Sequence, residues 1–227
     1  MASLYRVQFL KKFLGTSPLM ARVAPFVIFL ALTFCQGQFG AASAYWFYLA
    51  KTLVGVWLIW EMRPVVPEMR WAMSWEAVIV GVGVFVLWVG IDRYYPHFKS
   101  SVLWNPRLQF GQNSMFAWLM IATRTVGSTL VVPPLEEVFY RSFLYRYFAR
   151  PDFLSVPLNR FLPWSFLGTA AVFGLSHFQW LAGLLCGLAY QGLVLRKNRL
   201  GDAMTAHALT NFLLSLWVIG RGAWQFW

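Results

Sequence analysis

The 227-residue sequence has few charged residues and very few cysteines. Charged side chains make up only 12% of the chain and hydrophobic residues 59%, a balance that excludes an ordinary water-soluble domain. The two cysteines, Cys35 and Cys186, lie in apolar segments and lack the spacing of a disulfide framework, so we interpret them as packing residues. Linkers rich in serine, glycine or proline are also missing, which predicts a single domain over 1–227.

The charge that is present is mostly positive. Nineteen Lys and Arg against eight Asp and Glu give a formal net charge of +11. The basic residues lie in small clusters between apolar runs and form no continuous basic face, which argues against nucleic acid as a partner. We expect a lipid bilayer with anionic headgroups to be the partner of these clusters.

Seven apolar segments approach the roughly 20 residues that a helix needs to cross a bilayer. They cover roughly 19–36, 41–60, 76–91, 114–133, 163–178, 180–196 and 202–220. A further helical stretch at 135–149 contains two Glu and two Arg and is predicted to face protein or a water-filled cavity. The predicted fold is therefore all-α: a polytopic bundle of about seven to eight transmembrane helices around a membrane-embedded polar cavity.

Lys and Arg are divided unevenly between the two ends of the predicted spans. Thirteen lie at one set of ends and four at the other, with Lys51 and Arg124 inside spans. Because basic loops stay in the cytoplasm, we expect the N-terminus there, and no small-residue cleavage site follows it. The loop over 92–113, with Trp104, is predicted to lie at the membrane interface.

Ionisable residues in apolar segments are the candidates for chemistry, since they are costly at bilayer depth. Pro133 and Pro134 predict the start of a new helix that carries Glu136 in its first turn. On this helix Glu137 and Arg141 are four residues apart and are predicted to form an ion pair, which leaves Glu136 free to hold a water.

Two histidine groups follow on later spans. His177 ends the sequence Phe173-Gly-Leu-Ser-His near the end of the fifth span. His207 and Asn211 share one face of the seventh span and can donate hydrogen bonds into a common cavity. With Glu136 they supply a base, groups that orient a water and donors for an oxyanion, which water-mediated peptide hydrolysis requires.

The ordered pattern of these residues resembles the CAAX protease and bacteriocin-processing (CPBP, or Abi) family, which includes the type II CAAX prenyl endopeptidases. The pattern is Glu136-Glu137-x-x-x-Arg141, Phe173-x-x-x-His177 and His207-x-x-x-Asn211. The similarity covers roughly 114–220 as a catalytic core, whereas the N-terminal spans and interfacial loop over 1–113 contribute nothing specific.

This resemblance implies a glutamate-dependent intramembrane endopeptidase, in a bacterial inner membrane, that cuts near a membrane-anchored or prenyl-like C-terminus. It implies a membrane-anchored protein or peptide as substrate and no metal or other cofactor. By position in the pattern, Glu136 is the base that activates water and His177 holds that water. His207 and Asn211 stabilise the oxyanion, and three residues support the site: Glu137, Arg141 and Phe173.

Three other interpretations stay open. The two glutamates and the two span histidines could bind zinc, although no His-Glu-x-x-His motif occurs. A membrane scaffold or immunity factor could use the same cavity to bind a partner without proteolysis. A transporter would also place ionisable residues in spans, but the two related halves with paired interrupted helices that typify such proteins are missing.

Overall fold

The computed structural model describes Gly15, residues 17–98 and residues 104–227. Within these residues the chain is helical and contains no β-strand, so the predicted all-α class is confirmed. Eight helices are described: α1 (Pro18–Phe34), α2 (Ser43–Met62), α3 (Trp75–Ile91), α4 (Pro106–Phe110), α5 (Met115–Tyr147), α6 (Pro163–Leu175), α7 (Trp180–Lys197) and α8 (Gly201–Arg221).

Three of the described helical stretches are long and apolar enough to cross a membrane: Trp75–Tyr94, Met115–Tyr147 and Gly201–Arg221. Helices α1 and α6 are apolar but shorter, at 17 and 13 residues. The long apolar helices indicate an integral membrane protein. The number of seven to eight spans stays a prediction.

Helix α5 differs from the sequence prediction. It runs continuously from Met115 to Tyr147, so no new helix begins after the two prolines. A π-helical segment, Gly127–Val131, precedes the prolines, and the Val132 N–H bonds back to the Gly127 carbonyl. α-Helical bonding resumes at Val132, so the prolines lie where the bonding pattern changes, and their missing N–H groups interrupt the backbone hydrogen bonds of the continuous helix. Glu136 therefore lies inside a long helix and not at a helix N-terminus.

Close backbone contacts position the helices around His177 and His207. Helix α3 packs along α8, and a Cβ added to Gly81 would lie only 2.7 Å from the Ala206 carbonyl oxygen. Helices α6 and α7 form a hairpin in which a Cβ on Gly174 would lie 2.8 Å from the Leu184 nitrogen. Small residues at these contacts let the helices approach closely, as is common in membrane bundles.

A polar cluster ties the loop between α2 and α3 to α1 and α5. The Glu68 carboxylate accepts hydrogen bonds from Arg22 Nη2 at 2.7 Å, from Arg146 Nη2 at 3.1 Å and from the Ser142 hydroxyl. Burial raises the pKa of Glu68, but the Ser142 hydrogen bond and the Arg22 charge lower it by more than burial raises it. The pKa of Glu68 therefore lies below its usual range. The cluster thus holds its carboxylate ionised.

Two predictions about the remaining regions have different outcomes. Cys35 and Cys186 are both free thiols, as predicted. Trp104 is only 3% exposed and packs against Tyr45 and Tyr48 at ring-centroid distances of 4.8 and 5.6 Å. Neighbouring aromatic rings thus cover Trp104, and the interfacial position of the loop over 92–113 stays a prediction; residues 99–103 of this loop lie outside the described residues.

Candidate active site

The adjacent glutamates of α5 have different surroundings. The Glu137 side chain is fully buried and its Oε2 lies 3.1 Å from Arg141 Nε, so the predicted ion pair is present. The Glu136 side chain is 15% exposed, and its Oε2 has no hydrogen-bond partner among the described residues. This difference follows from helix geometry, because consecutive residues point about 100° apart.

His207 joins the two glutamates. Its Nδ1 lies 2.9 Å from Glu137 Oε1, and its Nε2 lies 3.9 Å from Glu136 Oε2. Since a carboxylate only accepts hydrogen bonds, Nδ1 carries the proton in the bond to Glu137. Arg141, Glu137 and His207 therefore form a buried chain that orients the imidazole and leaves Nε2 facing Glu136.

His177 lies in the turn between α6 and α7, because α6 ends at Leu175 and not at 178 as predicted. Its Nδ1 is 2.7 Å from the Phe173 carbonyl oxygen, an acceptor, so the Nδ1 proton is used there. The Nε2 atom of a neutral His177 is then an acceptor. The turn thus presents a nitrogen lone pair, which suits it to hold a water molecule.

The Phe173 ring lies at the centre of the charged and imidazole groups. Its centroid is 4.5 Å from Arg141 Cζ, 4.6 Å from the His177 ring and 6.1 Å from the His207 ring. Tyr190 stacks on His207 at 5.2 Å on another side. These contacts fix the imidazoles by packing and place the buried guanidinium against an aromatic face.

Asn211 lies one turn after His207 and bonds to α5. Its Nδ2 donates to the Ser128 carbonyl at 2.8 Å. This carbonyl lacks a helical donor because Val132 bonds to Gly127 and Pro133 has no N–H. The prolines thus create the acceptor that Asn211 uses, and the second Nδ2 hydrogen stays available for a substrate.

A cavity of about 560 Å³ opens beside these groups. All four predicted catalytic residues line it: Glu136, His177, His207 and Asn211. Of the supporting residues Phe173 also lines it, whereas Glu137 and Arg141 lie behind its wall. Among the described residues, no group of three or more His, Cys, Asp or Glu side chains is arranged to hold a metal ion.

The same cavity contains two cations that the sequence analysis left without a role. Lys51 of α2 and Arg124 of α5 both line it, together with Tyr48 and Trp227. Their position inside apolar helices was a usable signal, because a charge in a span is a candidate functional residue. The motif pattern alone does not include them.

Residues 117–213 match a family model described as Type II CAAX prenyl endopeptidase Rce1-like. This segment, less than half of the chain, is similar to that family and is called the Rce1-like segment below. The predicted resemblance to CAAX proteases is confirmed for it. All seven predicted site residues, from Glu136 to Asn211, lie inside the Rce1-like segment, as does Arg124. No curated protein and no solved structure matches the chain.

Proposed function

We propose that the protein is an intramembrane endopeptidase that hydrolyses a peptide bond near the C-terminus of a membrane-anchored or prenylated substrate. The proposal rests on the Rce1-like match together with one observation. Glu136 is a carboxylate without a hydrogen-bond partner among the described residues, and it faces an imidazole that Glu137 and Arg141 hold from behind.

In the first step, Glu136 removes a proton from a water molecule that also donates to Nε2 of His177. The water oxygen bonds to the carbonyl carbon of the substrate, and the carbonyl π electrons move to its oxygen. A carboxylate oxygen without a hydrogen-bond partner suits this task, because its lone pairs are free to accept from the water. His177 suits the water, because its Nδ1 proton is bonded to the Phe173 carbonyl.

The oxyanion that forms needs hydrogen-bond donors that are already in place. The second Nδ2 hydrogen of Asn211 is one donor, and the bond to Ser128 fixes its direction. His207 is the other donor when its ring is doubly protonated, since Nδ1 is bonded to Glu137 and Nε2 faces the cavity.

In the second step, Glu136 returns its proton to the amide nitrogen of the leaving peptide. The carbon–nitrogen bond breaks, the carbonyl double bond re-forms, and a carboxylic acid and an amine result. The same carboxylate thus acts first as base and then as acid, so no metal or cofactor enters the proton balance.

The bilayer orientation forms part of the proposal. The positive-inside rule predicts that the end of the bundle with the Arg22–Glu68–Arg146 cluster lies in the cytoplasm. On this assignment the cavity is inside the membrane, and a substrate anchored in the same membrane reaches it sideways between helices. A bacterial inner membrane is the expected location.

The test uses the purified protein in phosphatidylcholine liposomes and a peptide that ends in a farnesylated CAAX sequence. We expect one cut near the C-terminus, identified by mass spectrometry, and no cut by the Glu136→Gln variant. Activity should persist in excess chelator. Activity lost in chelator and restored by zinc would favour the zinc protease instead.

Cells provide the test for a non-proteolytic scaffold. If the protein is a protease, the membrane proteome of cells with Glu136→Ala should contain an uncut precursor that is absent from cells with the wild-type protein. A Glu136→Gln variant that keeps its full biological effect would favour the scaffold or immunity function over proteolysis.

A further inference from the structure

Lys51 and Arg124 form a cationic end of the active-site cavity. Lys51 Nζ lies 4.5 Å from the Tyr48 ring centroid, and Arg124 Cζ lies 4.9 Å from the same centroid. Arg124 Cζ is also 4.5 Å from the Trp104 ring centroid. Both cations line the cavity that holds Glu136, so the cavity is anionic at one end and cationic at the other.

The two cations lack the carboxylate partners that other buried basic residues have. Arg22 and Arg146 are paired with Glu68, and Arg141 is paired with Glu137. No salt bridge in the described part of the chain involves Lys51 or Arg124. Lys51 is only 6% exposed and donates one hydrogen bond, to the Thr33 hydroxyl at 3.0 Å.

A buried cation, Lys51, and a half-buried one, Arg124, are costly without an anion in a low-dielectric interior. An anionic ligand that enters the cavity would remove this cost, and the aromatic walls would strengthen its attraction by excluding water. Because both cations line the cavity that also contains Glu136, they favour an anion carried on a substrate over a lipid headgroup, which belongs at the bundle surface.

We propose that Lys51 and Arg124 bind the C-terminal carboxylate of the peptide substrate. This inference rests on the proposed function and adds the substrate's orientation to it. The Glu136 carboxylate repels the substrate's carboxylate and the cations attract it, so the peptide binds with its C-terminus at the Lys51–Arg124 end.

The dimensions agree with a short C-terminal segment. Arg124 and Glu136 are twelve residues apart on α5, or roughly 18 Å along the helix. An extended peptide spans such a distance with roughly three to five residues once the reach of the side chains is subtracted. The subsite therefore predicts a cut a few residues from a free C-terminus.

The experiment compares two farnesylated CAAX peptides that differ only at the terminus, one with a free carboxylate and one with a carboxamide. For the wild-type protein we expect a KM at least about tenfold higher for the amide, because its neutral end leaves the cations unpaired. The Lys51→Met/Arg124→Gln variant should cut both peptides with the KM that the wild type shows for the amide. Arg124→Lys, which keeps the charge, should retain the preference for the acid.

Arg221→Gln is the matched control. Arg221 also lies over a tryptophan ring, at 5.2 Å from the Trp217 centroid, but it does not line the cavity. Its variant should discriminate between acid and amide as the wild type does. Equal KM values of the wild type for the two peptides would overturn the subsite while leaving the protease function intact.

A binding arm separates the two proposals. The Glu136→Gln variant should bind the acid peptide at least about tenfold more tightly than the amide, whether or not cleavage occurs. Carboxylate-dependent binding without cleavage by the wild type would support the subsite and refute the protease function. A lipid phosphate is the alternative ligand of the two cations. If the Lys51→Met/Arg124→Gln variant lost activity equally on both peptides, and only in vesicles that contain phosphatidylglycerol, this alternative would be supported and the subsite overturned.

Discussion

Replacing either of the two adjacent glutamates by glutamine should destabilise the protein in one case and leave its stability unchanged in the other. Glu137→Gln removes the carboxylate that neutralises the fully buried Arg141. Breaking a buried ion pair from one side costs about 3–5 kcal/mol, which for a chain of this size lowers the melting temperature by roughly 6 °C or more. Glu136→Gln removes a carboxylate without a described hydrogen-bond partner, so its melting temperature should stay within about 2 °C of the wild type.

The assay is thermal unfolding of the purified protein in detergent, followed by the fluorescence of its 13 tryptophans. A Glu137→Leu/Arg141→Met variant separates the charge effect from simple loss of packing. Because it removes both charges together, it should recover most of the stability that Glu137→Gln loses. Equal melting temperatures for the two single variants, or no recovery in the double variant, would refute the assignment of Glu137 as the buried structural partner.

Two further predictions concern packing and pH. Gly81→Ala should lower the melting temperature by several degrees, since its Cβ would lie 2.7 Å from the Ala206 carbonyl oxygen. Gly83→Ala on the same helix is the control, because its Cβ would meet nothing within 4 Å and should not lower the melting temperature. Equal effects of the two substitutions would contradict this packing. Burial raises the pKa of Glu68, but the Ser142 hydrogen bond and the Arg22 charge outweigh burial and leave the pKa lowered. The ionised Glu68 therefore stabilises the fold at pH values above the usual carboxyl pKa. This stabilisation is lost as pH falls through the lowered value. The melting temperatures of wild type and Glu68→Gln should therefore converge in acid, and a difference that is constant with pH would refute the linkage.

The sequence predicted the all-α class, the Glu137–Arg141 pair and the shared face of His207 and Asn211. Each follows from a local rule: apolar run length, or the meeting of side chains four residues apart on a helix. These rules need no knowledge of how helices pack. The family match to residues 117–213 agrees with the motif pattern that such rules exposed.

The path of α5 could not be read in this way. Two consecutive prolines usually mark a helix start, but the π-helical segment before them lets the helix continue. The freed Ser128 carbonyl is then bonded by Asn211 from another helix. A tertiary contact thus supports a backbone irregularity that local propensity does not predict.

The cationic end of the cavity was also beyond sequence analysis. Lys51 and Arg124 lie 73 positions apart in the sequence, and only packing of α2 against α5 brings both to the Tyr48 ring. The sequence marked each as unusual in an apolar span without indicating that they share a cavity with Glu136.

The most direct test of the central claim is the turnover number of Glu136→Gln, measured beside the wild type in the same liposomes on a peptide that the wild type cuts. If Glu136 activates the water, the turnover number should fall by at least about a hundredfold while the protein stays folded. A Glu136→Gln variant that turns over within about threefold of the wild type would contradict the account, because the amide cannot accept the proton.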